Sequence, residues 1–394
     1  MNAYLLGFII AAVLAFALTP VAKRVAKLIG AIDVPKDARR GHTKPIPRLG
    51  GLAIFGGYTI TRILLAELGV LSYGTNFLPV MLGAVVIIVM GMIDDSKGLP
   101  AKTKFMIEMM IAIFLIGAGV RIDFLSLGEL AGDTAPYFYY DYLLFPVTAI
   151  WIVGITNTVN LIDGIDGLSC GVSGIASVAL FAVASLFMME DPIYPQVMAT
   201  TAVLAGAAFG FLPHNFNPAK IFMGDTGALF LGYMLAVVSI QGVMKSITAL
   251  WIILPILILG LPIFDTFFAI FRRLYHKRPV MEADKGHLHH RLLDLGLNQR
   301  QTVLILYGIT GGLGILAYAL TKNQVKLSIW GIIGIVAISF ALAGFFLWCD
   351  NQRRIKERKE QDHASIESND DIRNETGSGQ DGTHSESFGE GETN

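Results

Sequence analysis

Four polar clusters in this 394-residue chain carry side chains suited to chemistry on a phosphate. The first is Asp94-Asp95, followed by Lys97, Lys102 and Lys104. Adjacent carboxylates repel unless a cation lies between them. A solvated helix cap with neighbouring lysines is the plain alternative, and it weighs about as much. The second runs from Asn157 to Leu168, with Asn157, Asn160, Asp163 and Asp166. The i, i+3, i+6 spacing of the first three predicts one side of a helix. Gly164 and Gly167 predict a tight turn. Amide and carboxylate oxygens suit a hard cation; an interhelical hydrogen-bond seam is the weaker alternative. The third is Phe222-Met223-Gly224-Asp225-Thr226-Gly227. Asp225 is placed to cap a helix, but His214, Asn215, Asn217 and Lys220 nearby exceed what a cap needs. The fourth is the loop Arg272–Gln301, with Arg272, Arg273, Lys277, Arg278 and then His287-Leu288-His289-His290-Arg291. A Zn2+ site there lacks a fourth ligand and any nearby cysteine. Anion binding by a basic, histidine-rich loop is favoured over a simple positive-inside anchor.

The elements that position these clusters are membrane helices. Apolar residues make up 54% of the chain and charged residues 15%, which excludes a soluble globule and general disorder. Eleven apolar stretches are predicted to span a bilayer: Ala3–Thr19, Leu52–Leu71, Phe77–Ile93, Phe105–Val120, Tyr142–Leu161, Ser169–Met189, Val197–Leu212, Ala228–Val243, Thr248–Phe271, Thr302–Leu320 and Leu327–Trp348. Their continuous apolar character excludes a β-barrel. The first lacks a preceding positive residue and a cleavage site, so it reads as a span and not a cleaved signal peptide. The fold class is therefore an all-α polytopic bundle.

A basic loop follows the first span (Lys23, Arg24, Lys27, Lys36, Arg39, Arg40, Lys44, Arg48), and positive loops stay in the cytoplasm. Under that orientation the external loops hold only Arg121, Lys245, Lys322 and Lys326 as basic residues. The N-terminus is expected outside and the C-terminus inside. Residues 1–348 read as one membrane domain and 349–394 as a disordered cytoplasmic tail, opened by a basic segment Arg353–Lys359. Cys170 and Cys349 then sit near the reducing face as free thiols.

All four clusters fall at the cytoplasmic ends of spans. Asp265 lies within the ninth span, about two turns from that face, and is expected to point into the same cavity. Arg62 and Glu67 lie in the second span, and Arg62 is accounted for only by snorkelling or a buried partner. Oxygen ligands for Mg2+ beside cationic side chains for phosphates form the ordinary arrangement for phosphoryl transfer. The chain has no G-x-x-x-x-G-K-[ST] loop, which argues against an ATP-driven pump. The substrates should be one soluble phosphate ester and one lipid.

In Asn157–Leu168, Phe222–Asp225 and His287–His290, taken in order, the chain resembles the polyprenyl-phosphate N-acetylhexosamine-1-phosphate transferases. It is most similar to the bacterial undecaprenyl-phosphate N-acetylglucosamine branch, over about residues 1–320. The resemblance implies transfer of N-acetylglucosamine 1-phosphate from UDP-GlcNAc to undecaprenyl phosphate, with release of UMP and with Mg2+, or Mn2+ in its place. It implies Asn160 and Asp225 as metal ligands. Asp94, Asp95, Lys104, Asp163 and His290 are the implied catalytic residues; Asn157, Asp166, His287, His289 and Arg291 are the implied substrate contacts. Where the family's aspartate motif has a third acid, this chain has Gly98. The product would prime a surface polymer such as teichoic acid, in the plasma membrane of a bacterium. Membrane lipids are expected partners, nucleic acid is not, and a homodimer is an open alternative. A phospho-MurNAc-pentapeptide transferase is the nearest alternative. A cation-coupled secondary transporter is the alternative of another class, disfavoured because its ionisable groups would lie near the midplane on broken helices.

Overall fold

The computed structural model describes residues 2–34, 45–74, 76–122, 138–189, 191–242, 253–275 and 287–322. The eleventh predicted span, the tail with Cys349, and Lys36, Arg39, Arg40, Lys44, Lys277 and Arg278 lie outside these residues.

The described chain is almost entirely helical. The helices are α1 (Asn2–Ile29), α2 (Gly50–Glu67), α3 (Phe77–Lys97), α4 (Ala101–Gly117), α5 (Phe138–Leu161), α6 (Leu168–Ser185), α7 (Ile193–Asn215), α8 (Gly224–Gly242), α9 (Ile253–Ile258), α10 (Gly260–Tyr275), α11 (Leu288–Asp294) and α12 (Gln299–Lys322). Seven of them are long and apolar enough to cross a membrane. The one sheet among the described residues is a short antiparallel pair, β1 (Ile32–Asp33) with β2 (Ile46–Pro47).

The predicted span Thr248–Phe271 is two helices where it is described, α9 and α10. Hydropathy could not see the break. Gly260 is a poor helix former and Pro262 has no N–H to continue the ladder. The tenth and earlier predicted spans otherwise fall on helices.

Helix α8 is the centre of the bundle. Its sequence is apolar on every side, as a fully enclosed helix requires, and residues Thr226 to Ile240 are all buried. It packs against α5, α3, α2, α6 and α7. Lipid-like surroundings give no hydrophobic drive between helices, so packing and interhelical hydrogen bonds hold them, each bond contributing about 0.6 kcal/mol. Two such bonds fix α8: Tyr233 Oη donates to Val80 O at 2.8 Å, and Trp151 Nε1 donates to Ser239 Oγ at 2.9 Å. The outer helices turn apolar side chains outward instead, including Leu5, Ile9 and Val13 of α1 and Leu78, Val85 and Val89 of α3.

Arg62 is buried, and the bundle gives it a job. Its Nη2 donates to Ser72 O and Tyr73 O at 3.1 and 3.3 Å, and its guanidinium lies 5.6 Å from the Phe77 ring centroid. It pins the turn between α2 and α3, and no snorkelling is needed.

Candidate active site

The clusters meet where one end of the bundle collects the C-termini of α3 and α5 and the N-termini of α4 and α8. Lys104, in the first turn of α4, is the junction. Its Nζ donates to Asp94 Oδ2 and to Asp225 Oδ2, at 2.8 Å each. Asn160 Nδ2 reaches the same Asp225 oxygen at 3.4 Å. Three of the four sequence clusters thus converge on one carboxylate.

Asp94 and Asp95, adjacent in sequence, face different partners. Asp94 accepts Lys104 through Oδ2 and the Leu99 N–H through Oδ1 at 2.6 Å, tying the α3–α4 turn to the site. Gly98 has φ of +76° in that turn, so the position of the family's third acid is the residue that reverses the chain. Asp95 is buried and serves the start of α8. Its Oδ1 accepts the Asp225 N–H at 3.0 Å; its Oδ2 accepts the Thr226 N–H at 3.0 Å and the Thr226 hydroxyl at 2.7 Å. Arg48 Nε lies 3.7 Å from Oδ1. The cap of this helix is therefore Asp95, supplied from α3. Asp225 sits inside the first turn of α8 with its carboxylate free to face Lys104 and Asn160.

The backbone holds this motif from the other side. Phe222 N–H donates to Pro47 O, and the Gly50 and Gly51 N–H groups donate to Phe222 O and Met223 O, at 2.8, 2.9 and 3.0 Å. Gly224 has φ of +71°, and a Cβ there would stand 1.9 Å from Arg48 O and 2.4 Å from Asp95 Oδ2. No other residue fits between the Arg48 backbone and Asp95.

Helix α5 ends at Leu161, so Asp163 lies in the following turn and not on the helix face with Asn157 and Asn160. The Asp163 carboxyl is pushed up to about 8, first by burial and then by the neighbouring Asp225 and Asp95 charges, with Arg48 opposing. Asp166 points elsewhere. Its Oδ2 accepts Asn217 Nδ2 and the Ala219 N–H at 3.0 Å each, pinning the 216–221 loop. Asn217 also bonds Gln299, and Arg300 Nε donates to Asn217 O at 3.0 Å, which brings the start of α12 to the same loop.

The histidine segment is held by Asp265, which does not face the Asp225 cluster as an open carboxylate. Asp265 and His287 are 4% and 6% exposed, and Asp265 Oδ2 is 2.8 Å from His287 Nδ1. Asp265 Oδ1 accepts the Leu288 N–H at 2.7 Å. The carboxylate thus caps α11. His289 and Arg291 are buried at 2% and 1% exposure; Arg291 lies 5.0 Å from the Phe268 ring centroid. Burial holds the His289 imidazole down at about 3, helped by repulsion from His290. His289 Nε2 lies 2.2 Å from where a Gly164 Cβ would stand, so the histidine helix packs on the Asn157–Leu168 turn. His290 keeps partial exposure beside it, its ring 4.2 Å from that of His289. Of the histidine segment, His290 is therefore the side chain best placed to reach a ligand.

Glu108 is a further polar residue of this region, marked in the sequence only by its charge. It lies one turn past Lys104 on α4, is 2% exposed, and accepts a hydrogen bond from Asn157 Nδ2. The signal was a lone carboxylate inside an apolar stretch. Among the described residues no group of three or more His, Cys, Asp or Glu side chains could hold a metal alone. One carboxylate with an amide oxygen suits instead a hard cation shared with substrate phosphates.

Residues 77–243 match the family glycosyl transferase family 4. The chain is 40% identical over 328 residues to a probable undecaprenyl-phosphate N-acetylglucosaminyl 1-phosphate transferase of Bacillus subtilis, covering 82% of this chain and 87% of that protein. It is 35% identical to the decaprenyl-phosphate N-acetylglucosaminephosphotransferase of Mycobacterium tuberculosis, covering 77% and 78%. It is 25% identical to the undecaprenyl-phosphate alpha-N-acetylglucosaminyl 1-phosphate transferase of Escherichia coli, covering 75% and 79%. The chain is a multi-pass membrane phosphotransferase and belongs to the polyprenyl-phosphate N-acetylhexosamine-1-phosphate transferase family.

Proposed function

We propose that the protein transfers N-acetylglucosamine 1-phosphate from UDP-GlcNAc to undecaprenyl phosphate, releasing UMP. The observation that carries this reading is the Lys104 ammonium held between Asp94 and Asp225 with Asn160 on the same carboxylate. It is a phosphate-binding cation beside a half-built site for a second cation. The names of the relatives point to N-acetylglucosamine over a MurNAc-peptide. The product is read as the primer of a surface polymer such as teichoic acid.

Asp225 and the Asn160 amide oxygen are the proposed holders of Mg2+ against the diphosphate. When bound, the ion supplies charge neutralisation on the phosphate oxygens. Lys104 stabilises the same developing charge and is oriented by Asp94. Asp95 positions Asp225 through the helix start. His290 contacts the diphosphate or sugar from the far side. A phosphate monoester is mostly a dianion at neutral pH, with a second pKa near about 6, so the acceptor needs no strong base. Its oxygen forms the new bond to the sugar-linked phosphorus, and the bond to UMP breaks with the electron pair leaving on UMP. Both Asp94 oxygens are already hydrogen-bonded, which favours this direct displacement over a covalent aspartyl intermediate.

The eleven-span topology, with the N-terminus outside and this site on the cytoplasmic face of the plasma membrane, is part of the same proposal. It rests on the positive-inside asymmetry of the loops. The test is isotope exchange. Purified protein is mixed with UDP-GlcNAc, labelled UMP and undecaprenyl phosphate, with Mg2+ and then with EDTA. Label should enter UDP-GlcNAc only when lipid and Mg2+ are both present. No exchange with both would sink the reaction, and lipid-free exchange would sink the direct mechanism.

A further inference from the structure

We infer that Glu108 is a positioning residue that locks the Asn157 amide, so that Asn157 offers the substrate an acceptor oxygen only, and that the group it reads on the UDP-sugar is a hydrogen-bond donor: a ring hydroxyl or the acetamido N–H. This rests on the transferase reading above.

Asn157 Nδ2 donates both to Glu108 Oε2 and to Val153 O, the latter at 2.9 Å. A backbone carbonyl only accepts. The amide NH2 therefore faces α4 and its own helix whatever the protonation state of Glu108. Both its hydrogens are spent. What remains is Oδ1, which carries no hydrogen bond among the described residues, on a half-buried side chain. Asn157 stands three residues before Asn160 on α5, about one helical turn away, or roughly 5 Å along the axis. Asn160 reaches Asp225, so Asn157 lies about one helical turn further into the bundle than the phosphate site, a depth of about the size of a sugar ring. An acceptor there repels phosphate oxygens and selects O–H or N–H.

The setting argues that Glu108 serves this task. Its Oε1 is buried with no hydrogen-bond partner among the described residues. A buried carboxylate with an unsatisfied oxygen costs stability, and an apolar residue would pack there at no such cost.

The test is a swap and a substrate series. Asn157→Asp sets a second carboxylate against Glu108 and Val153 O and should lower kcat/KM for the UDP-sugar at least about 30-fold, mostly in KM. Adding Glu108→Gln restores a donor–acceptor pair with its direction reversed and still leaves an oxygen for substrate. The double variant should regain about tenfold over Asn157→Asp alone. Glu108→Gln alone keeps an acceptor for the Asn157 amide and should lose about threefold in kcat/KM; thermal melts of every variant in detergent control for folding. UDP-sugars lacking the acetamido group or single hydroxyls should each be poorer substrates of the wild type. For one of them the penalty should vanish in Asn157→Ala.

A double variant no better than Asn157→Asp, or a penalty unchanged by Asn157→Ala for every analogue, overturns the inference. So does a tenfold loss of Mn2+ affinity in Asn157→Ala by electron paramagnetic resonance, because Oδ1 would then be a cation ligand. The transferase reading fails separately, through absence of UMP exchange in the wild type.

Discussion

Asp95 holds the backbone N–H of Asp225 at 3.0 Å while the Asp225 side chain turns away from it toward Lys104. One carboxylate caps the helix, and the other is thereby freed for chemistry. The pair separates two properties that a sequence alone merges, and it sets opposite outcomes for matched substitutions. Asp225→Asn should lower turnover by at least about 100-fold, the scale of losing a key electrostatic contact, with little change in melting temperature in detergent. Asp95→Asn should lower stability instead. Its amide NH2 would face N–H donors, leaving a buried bond unmade at about 1–3 kcal/mol. Activity at a temperature where the variant is folded should fall far less than in Asp225→Asn. Thermal melts and exchange rates on both variants check this. The reverse ordering would make Asp95 the ligand and Asp225 the cap.

Lys104 is the only described cation that touches two of the site carboxylates at 2.8 Å. Lys104→Met should lower kcat by about 100-fold or more and leave Asp94 and Asp225 repelling each other. Part of that repulsion should be relieved by Mg2+. The variant should therefore gain more thermal stability from millimolar Mg2+ than the wild type does. Equal Mg2+ stabilisation in the two proteins would show that the ammonium does not share the cation's ground.

Much of this arrangement was legible beforehand, for stated reasons. A glycine-bounded run of amides and carboxylates at the end of an apolar stretch has few structural uses, so Asn157–Leu168 stands out; Phe222–Gly227 holds a single carboxylate and stands out through His214, Asn215, Asn217 and Lys220 before it. Roles within them do not. Whether Asp95 or Asp225 caps α8 depends on a contact between residues 130 apart in sequence, and no local pattern encodes it. Asp265 appeared as a second charge for the site because spacing gives depth along a span but not direction; its bond to His287 crosses two helices. The histidine run read as ligand-facing, yet packing on Gly164 buries His289, and only His290 stays partly open. The break after Ile258 is invisible to hydropathy because Gly260 and Pro262 leave the apolar run unchanged.

The Asp265–His287 pair predicts a positioning defect. Asp265→Asn keeps an oxygen for the Leu288 N–H but loses the charge facing His287, a loss of about 1.5–3 kcal/mol for a charge-assisted bond. The histidine helix should loosen against Gly164. KM for UDP-GlcNAc should rise several-fold with a smaller change in kcat. His287→Ala should reproduce the effect, and the double variant should be no worse than either single one. Additive losses would show that the two residues act apart.

Asp163 supplies a pH signature. Its carboxyl sits at about 8 in the folded protein, through burial and the nearby Asp225 and Asp95, against roughly 3.9 in an unfolded chain. Between those values the native state holds a proton that the unfolded state releases. Stability linked to this group is therefore fully present at about pH 4, falls as pH rises toward about 8, and changes no further above it. Asp163→Asn removes the titration while preserving the shape of the neutral acid. In EDTA, to keep divalent cations out, the melting temperature of the variant relative to wild type should climb steadily from pH 5 to pH 8 and then level off. A gap that stays flat across that range would mean that Asp163 is already ionised at neutral pH, with a cation or an N–H group holding its charge.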